Sequence, residues 1–160
     1  MRQVSTFIVI SLLLVACTPT LNPTANTPPQ ATSTATQAAC QPSQILKTNN
    51  SFPEVRGTMK SGGELWALLF FDKAAPNTDL KFVWRITATG GTIGFQAQAQ
   101  NENGTIILPI WGPDYHESST WQRPGMEWGT GFNFPEPGCW TITVSLGTTK
   151  GEIYLDVVSP

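Results

Sequence analysis

Apolar and polar residues alternate along most of the chain after residue 60. Short runs rich in aromatic and β-branched residues are separated there by turns of glycine and asparagine. The pattern is clearest in the run 80–88, where every second residue is apolar: Leu80, Phe82, Trp84 and Ile86. Successive side chains of a β-strand point to opposite faces, so this run predicts a strand with one buried face.

Five further runs have the same character: 64–71, 92–100, 105–110, 139–146 and 151–158. Period-two alternation with turns every 8 to 12 residues is typical of an antiparallel sandwich or barrel. No segment has a convincing helical period. The sequence therefore predicts an all-β fold, an antiparallel immunoglobulin-like β-sandwich of seven or eight strands. Three tryptophans lie in apolar stripes and are predicted core residues: Trp66, Trp84 and Trp140.

The amino-terminal segment has a different pattern. Arg2 precedes an apolar run, 4–15, that is shorter than the roughly 20 residues of a membrane span. The run matches the apolar region of a secretory signal, and it ends in Leu14-Val15-Ala16-Cys17. This ending resembles the lipobox of bacterial lipoproteins. The resemblance implies that residues 1–16 are cleaved as a signal peptide and that the Cys17 thiol carries a diacylglyceryl group.

Such a lipid would hold the mature chain on a membrane outside the cytoplasm, because several acyl chains give durable anchoring. The expected location is the cell membrane or the outer membrane. If the host has two membranes, Thr18 after the cysteine favours the outer one. The alternatives are an ordinary signal peptide that happens to contain a cysteine, or an uncleaved anchor.

Residues 17–39 consist of the lipidated cysteine and a Thr/Pro-rich linker without charged or aromatic residues. Such a composition cannot bury enough apolar surface to fold, so we expect a disordered tether. Residues 40–160 have the usual size of one domain. Without Arg2, eight basic and eleven acidic residues remain, a net charge of −3. Because the chain has no basic patch, we expect it to bind neither nucleic acid nor anionic lipid directly.

The two remaining cysteines, Cys40 and Cys139, are predicted to form a disulfide, the default in an oxidising compartment. Closing a loop of about 100 residues contributes up to about 4.7 kcal/mol on a chain-entropy estimate. Cys139 points away from the face that contains Trp140. The disulfide is therefore expected to tie Cys40 to the start of a strand instead of crossing the core. A redox or metal pair is the alternative, but there is no C-x-x-C and no histidine nearby.

Three motifs follow one another along the chain: GELWALLF (63–70), LKFVWR (80–85) and GTGFNFPEPGCWTITVSLG (129–147). They resemble an uncharacterised group of bacterial secreted and lipoprotein domains, over most of 60–158. The resemblance implies a β-sandwich made outside the cytoplasm. It implies no activity and no functional residues.

The polar segment 111–131 is predicted to be a long loop, and such loops often carry function. Its aromatic residues are the candidate ligand-binding set: Trp111, Tyr115, Trp121 and Trp128. They could line a shallow groove that stacks on sugar rings. The alternative is that these aromatics only anchor the loop over a sheet edge.

Catalysis is not expected, because a hydrolase needs a nucleophile, a base and an orienting group brought together. His116 is the only histidine, no G-x-S-x-G elbow is present, and neighbours on one loop are not expected to converge. No cofactor is expected. His116 together with Met59 or Met126 would supply fewer ligands than a typical copper site has.

The leading hypothesis is a non-catalytic, lipid-anchored binding or scaffolding module of the cell envelope. Its partner could be an envelope protein that pairs with an exposed strand edge. The second hypothesis is a lipoprotein that binds a cell-wall glycan. The third, a metal or redox accessory protein, depends only on His116 and the cysteines.

Overall fold

The computed structural model describes residues 40–47, 52–101, 103–117 and 119–159. The predicted signal peptide, Cys17 and the linker lie outside these residues. The described part contains no helix, and so none that is long and apolar enough to cross a membrane.

Eleven strands form in the described residues. They are β1 (Ile45–Lys47), β2 (Pro53–Arg56), β3 (Thr58–Met59), β4 (Leu65–Leu69), β5 (Asp79–Ile86), β6 (Ile93–Ala99), β7 (Ile106–Ile107), β8 (Trp111–His116), β9 (Met126–Asn133), β10 (Gly138–Leu146) and β11 (Thr149–Val157).

The strands build two antiparallel sheets that pack face to face. One sheet has six strands in the order β1-β2-β4-β5-β9-β8, and the other has five in the order β3-β11-β10-β6-β7. The predicted β-sandwich is confirmed. The strand number of seven or eight was too low, because β1 and β3 have only three and two residues. So short a segment cannot display a period-two pattern.

The core lies between the sheets and is rich in aromatic residues. The alternating stripe of β5 is fully enclosed, with Phe82, Trp84 and Ile86 each 0% exposed. The Trp84 indole Nε1 donates a hydrogen bond to Thr130 Oγ1 at 2.8 Å, so the one polar atom of that ring is satisfied. Trp140 is also 0% exposed. The sequence predictions for Trp84 and Trp140 are therefore confirmed.

Trp66 was wrongly assigned to this core. It is buried, but the inward residues of β4 are Leu65, Ala67 and Leu69, whereas Trp66 faces away from the other sheet. The run from 65 to 71 is apolar on both faces. Alternation therefore could not show which face points inward. On the second apolar face a loop covers Trp66, as described below.

The predicted disulfide joins Cys40 to Cys139, with 5.2 Å between their Cα atoms. Cys139 lies at the start of β10, on the face opposite the core residue Trp140, as predicted. Just beyond Cys40, the Ser43 amide donates to the Tyr154 carbonyl of β11 at 2.9 Å. The chain then enters β1, which pairs with β2 in the other sheet. This segment thereby connects the two sheets.

Part of the predicted long loop 111–131 is strand. Residues 111–116 form edge strand β8, and β9 begins at Met126, so the described loop residues are 117 and 119–125. A register shift between Trp111 and Asp114 and a cis Gly112–Pro113 bond interrupt β8. This irregularity hid the strand, because a bulge breaks the period of two.

Candidate functional site

Residues 117 and 119–125, which we call the crossing loop, lie over the outer face of the six-stranded sheet. Two buried carboxylates of that face hold it. Glu54 of β2 is 4% exposed and accepts hydrogen bonds from Trp121 Nε1 at 3.1 Å and Arg123 Nε at 2.7 Å. Buried charges are tolerated where they are paired and hydrogen-bonded. The contacts therefore neutralise Glu54 and fix the middle of the loop to the sheet.

Glu127 of β9 is the second carboxylate and is 3% exposed. It accepts hydrogen bonds from Arg85 Nε at 2.7 Å, from Ser119 Oγ at 2.7 Å and from His116 Nδ1 at 3.0 Å. Burial alone would raise the pKa of Glu127. The hydrogen bonds from Ser119, Arg85 and His116, together with the Arg85 charge, outweigh burial and hold the pKa below its usual value.

Cations stacked on indole rings complete the attachment of the crossing loop. The Arg123 guanidinium lies 3.9 Å from the centre of the Trp66 ring, and that of Arg85 lies 5.8 Å from the Trp121 ring. Such contacts contribute roughly 0.5–2 kcal/mol, more when they exclude water. They explain why Trp66 is buried on an outer face.

An open cleft of about 570 Å³ lies between the crossing loop and the β1–β2 side of the sheet. Leu68 and Val83 form its floor, and Thr120 and Gln122 of the loop are on its rim. At one end, the Phe70 ring packs against Phe52 at 4.4 Å between centroids. We call this space the outer cleft. Its volume lies in the range of roughly 300–1,000 Å³ that is usual for ligand sites.

Lys81 closes the same end of the outer cleft. Its Nζ lies 4.4 Å from the centre of the Phe70 ring, and the side chain is exposed. Among the described residues, no carboxylate lies within 4.0 Å of Nζ. Glu54 and Glu127 are each paired with an arginine. The unpaired charge of this cleft is therefore positive.

Trp111 lies beside the outer cleft, on a surface made by two glycines of β9. A Cβ at Gly131 would overlap Nε1 of the indole and stand 2.5 Å from Cδ1 and Cε2, and one at Gly129 would be 3.5 Å from Cζ3. The indole therefore lies over both glycines, which we call the glycine shelf. Its other face is open, and the residue is 38% exposed.

The four aromatic residues predicted to bind ligand do not line one groove. Trp111 pairs with Gly131, and Trp121 covers the same outer face. Tyr115 pairs with Trp128, whose side chain belongs to the core between the sheets and is only 6% exposed. The bulge in β8 places Trp111 and Tyr115 on opposite faces of the strand.

Other residues of the cleft were not identified from the sequence: Phe52, Glu54, Phe70, Lys81 and Glu127. One signal was available. Glycines two positions apart in a strand, as at 129 and 131, leave one face bare, which marks the close approach of another group. The carboxylate partners gave no comparable signal, because Glu54 and Arg123 are 69 residues apart.

His116 and Ser119 do converge, contrary to expectation, because β9 brings Glu127 between them. The arrangement differs from that of a nucleophilic triad. In a triad the serine hydroxyl bonds to the imidazole, whereas here Ser119 Oγ donates to the carboxylate at 2.7 Å.

The described residues contain no group of three His, Cys, Asp or Glu side chains that could hold a metal ion. Comparison of the chain with protein-family models, curated proteins and solved structures gives no match. The resemblance to uncharacterised lipoprotein domains therefore stays a prediction from three motifs.

Proposed function

We propose that this protein is a lipid-anchored extracytoplasmic module that binds a ligand, without catalysis, in the outer cleft. The observation that carries the proposal is the cleft itself. It combines an apolar floor, Leu68 and Val83, with exposed polar groups on the rim. Pockets of this composition are the usual form of a binding site.

The crossing loop supports the same proposal. Its attachment through Glu54 and Glu127 fixes the rim of the cleft before any ligand arrives. A preformed site avoids the cost of ordering a loop on binding. Burying two carboxylates costs desolvation free energy, even when each has charged and hydrogen-bonding partners. A rigid rim for the cleft would account for this cost.

The lipid anchor depends on the sequence 14–17 and is tested by intact mass spectrometry of the mature chain from membranes. We expect a chain that begins at Cys17 and carries the mass of a diacylglyceryl group. Cys17→Ser should shift the protein from the membrane to the soluble fraction. An unmodified Cys17, or a retained Met1, would contradict the anchor and leave the cleft untouched.

Binding in the cleft is tested by photo-crosslinking in intact cells. A benzophenone amino acid replaces Thr120 on the cleft rim, and the matched control replaces Gln98, an exposed residue on the outer face of the other sheet. We expect covalent adducts at position 120 and few at 98. Equal labelling at the two positions would refute a ligand site in the outer cleft.

A protein partner on the sandwich edge is the second candidate. Strand β7 and its connection to β8 expose three aliphatic side chains: Ile106, Leu108 and Ile110, at 57%, 65% and 49%. Pairing of a partner strand with β8 is disfavoured by Pro113, which lacks an N–H, and by the bulge. Such a partner would therefore contact the side chains. A crosslinker at Leu108 that captures a protein, with none captured at Thr120, would favour this function over the first.

A further inference from the structure

We infer that the outer cleft and the adjoining glycine shelf bind an acidic saccharide, with one sugar ring stacked on Trp111 beside the cleft and a carboxylate of the saccharide paired with Lys81. The inference rests on the proposed function, because it names the ligand of the same cleft. Three features of the outer face carry it: a bare aromatic surface, an unpaired cation and a set of unused hydrogen-bonding atoms.

The aromatic surface is the open face of Trp111. The indole is supported from below by the glycine shelf, so its plane is held parallel to the sheet and cannot fold inward. A flat, supported ring is suited to the C–H face of a sugar, because the negative face of the ring attracts the weakly positive hydrogens. Among the described residues, Nε1 of Trp111 has no hydrogen-bond partner. It therefore remains free to donate to a hydroxyl.

The unpaired cation is next to this surface. Lys81, Gly131 and Trp111 occupy one row across strands β5, β9 and β8. The Trp111 indole lies over Gly131, on the strand next to Lys81, and neighbouring strands are about 4.8 Å apart. The ammonium, which lies over the Phe70 ring on the β4 side, can therefore reach a group bound over the shelf when the lysine side chain turns away from Phe70. Glu54 and Glu127 are already paired, and the Asp79 carboxylate accepts a hydrogen bond from Asn133 at 2.7 Å.

Glu64 lies beside Arg56 and accepts a hydrogen bond from Trp66 Nε1. Asp114 stands in β8, two strands from Lys81. That spacing corresponds to about 10 Å across the sheet. At this distance from an exposed carboxylate, screening by salt is substantial. The position beside Lys81 therefore favours an anionic group.

The unused hydrogen-bonding atoms lie along the cleft. His116 Nδ1 donates a hydrogen bond to Glu127, and among the described residues His116 Nε2 has no hydrogen-bond partner. The Thr120 hydroxyl and the Gln122 side-chain oxygen are on the rim, where Gln122 Nε2 donates a hydrogen bond to the Thr120 carbonyl at 3.4 Å. Several polar atoms around a small apolar floor match a ligand rich in hydroxyl groups. An acyl chain would instead need an enclosed apolar pocket.

The test is a titration of the full-length protein in detergent micelles, followed by tryptophan fluorescence and calorimetry. The probes are oligosaccharides that contain galacturonate, glucuronate or muramic acid units, each beside its methyl ester, which has the same skeleton without the charge. A poly-glutamate peptide separates the saccharide from an acidic peptide. We expect at least one acidic saccharide to bind about tenfold more tightly than its ester, as one charged hydrogen bond implies.

Three variants assign the contacts. Lys81→Gln should abolish the preference for acid over ester, whereas Lys150→Gln, an exposed lysine of the other sheet, should leave it unchanged. Gly131→Ala retains every polar group but displaces the indole from the shelf. It should weaken binding of acid and ester alike by about tenfold or more. Its near-ultraviolet circular dichroism shows whether the sandwich is intact.

Binding of no saccharide, equal affinity for acid and ester, or equal affinity for the peptide would each overturn the inference. The proposed function would survive any of these results if position 120 still gave specific adducts in cells. Loss of those adducts would refute the proposed function itself.

Discussion

Replacement of Glu127 by glutamine removes the negative charge that joins the crossing loop to the sheet. Glutamine keeps the size of the side chain, but Arg85 loses its counter-ion, and the new amide donors face Ser119 and His116, which themselves donate. The Arg85 guanidinium is only 16% exposed. Breaking one partner of a buried pair costs about 3–5 kcal/mol.

We expect about 3 kcal/mol, the lower end of that range, because Arg85 keeps its hydrogen bonds to the Arg123 carbonyl and to Ser119. The assay is urea unfolding followed by near-ultraviolet circular dichroism. With a slope of about 1.5 kcal/mol per M, the midpoint should fall by about 2 M. The matched control is Glu117→Gln, because Glu117 is exposed. A midpoint within 0.3 M of that control would refute the role given to Glu127.

The pH dependence of stability gives an independent check of the same residue. The folded protein holds the pKa of Glu127 below the ordinary value of the unfolded chain. The stabilisation is therefore complete above the ordinary pKa, near 4.3, and is lost as pH falls through the lower folded value. Wild type should lose stability on acidification below about pH 5 more steeply than Glu127→Gln. Parallel curves would contradict the assignment.

Three further changes test the fold. Trp84→Phe leaves the buried Thr130 hydroxyl without its indole partner and opens a cavity. Thermal unfolding should therefore show a free energy of unfolding that is lower by about 3 kcal/mol. A decrease below about 1 kcal/mol would contradict the buried hydrogen bond. Replacing Cys40 and Cys139 by serine should cost up to about 4.7 kcal/mol in guanidinium unfolding, and an unchanged midpoint would show that the disulfide does not constrain the unfolded chain. Gly125→Ala adds a Cβ at φ +103°, 2.5 Å from the β5 backbone, so it should destabilise by about 2 kcal/mol or more; a neutral result would mean that the turn relaxes.

The proposed function depends mainly on residues of the outer face, and most of the tryptophans have other roles. Four aromatic residues, Trp111, Tyr115, Trp121 and Trp128, were predicted to line a groove. Trp128 instead packs in the core, and Trp121 is covered by an arginine. Among the described residues, no arginine covers Trp111. Its indole lies on the surface that the β9 glycines, Gly129 and Gly131, leave bare.

The residue pattern was enough to predict the sheet character of the chain, the inward stripe of β5 and the pairing of Cys40 with Cys139. These features depend on a local period of two and on the cysteine pair left in the domain, which can both be read from the residues directly. The folded structure was needed to show which face of the doubly apolar β4 points inward, and that β8 is a strand. It also decided that Arg123 reaches Glu54 across 69 residues and that Trp111 rests on Gly131. Contacts between distant segments depend on how the crossing loop packs on the sheet, and no local pattern of side chains records that packing.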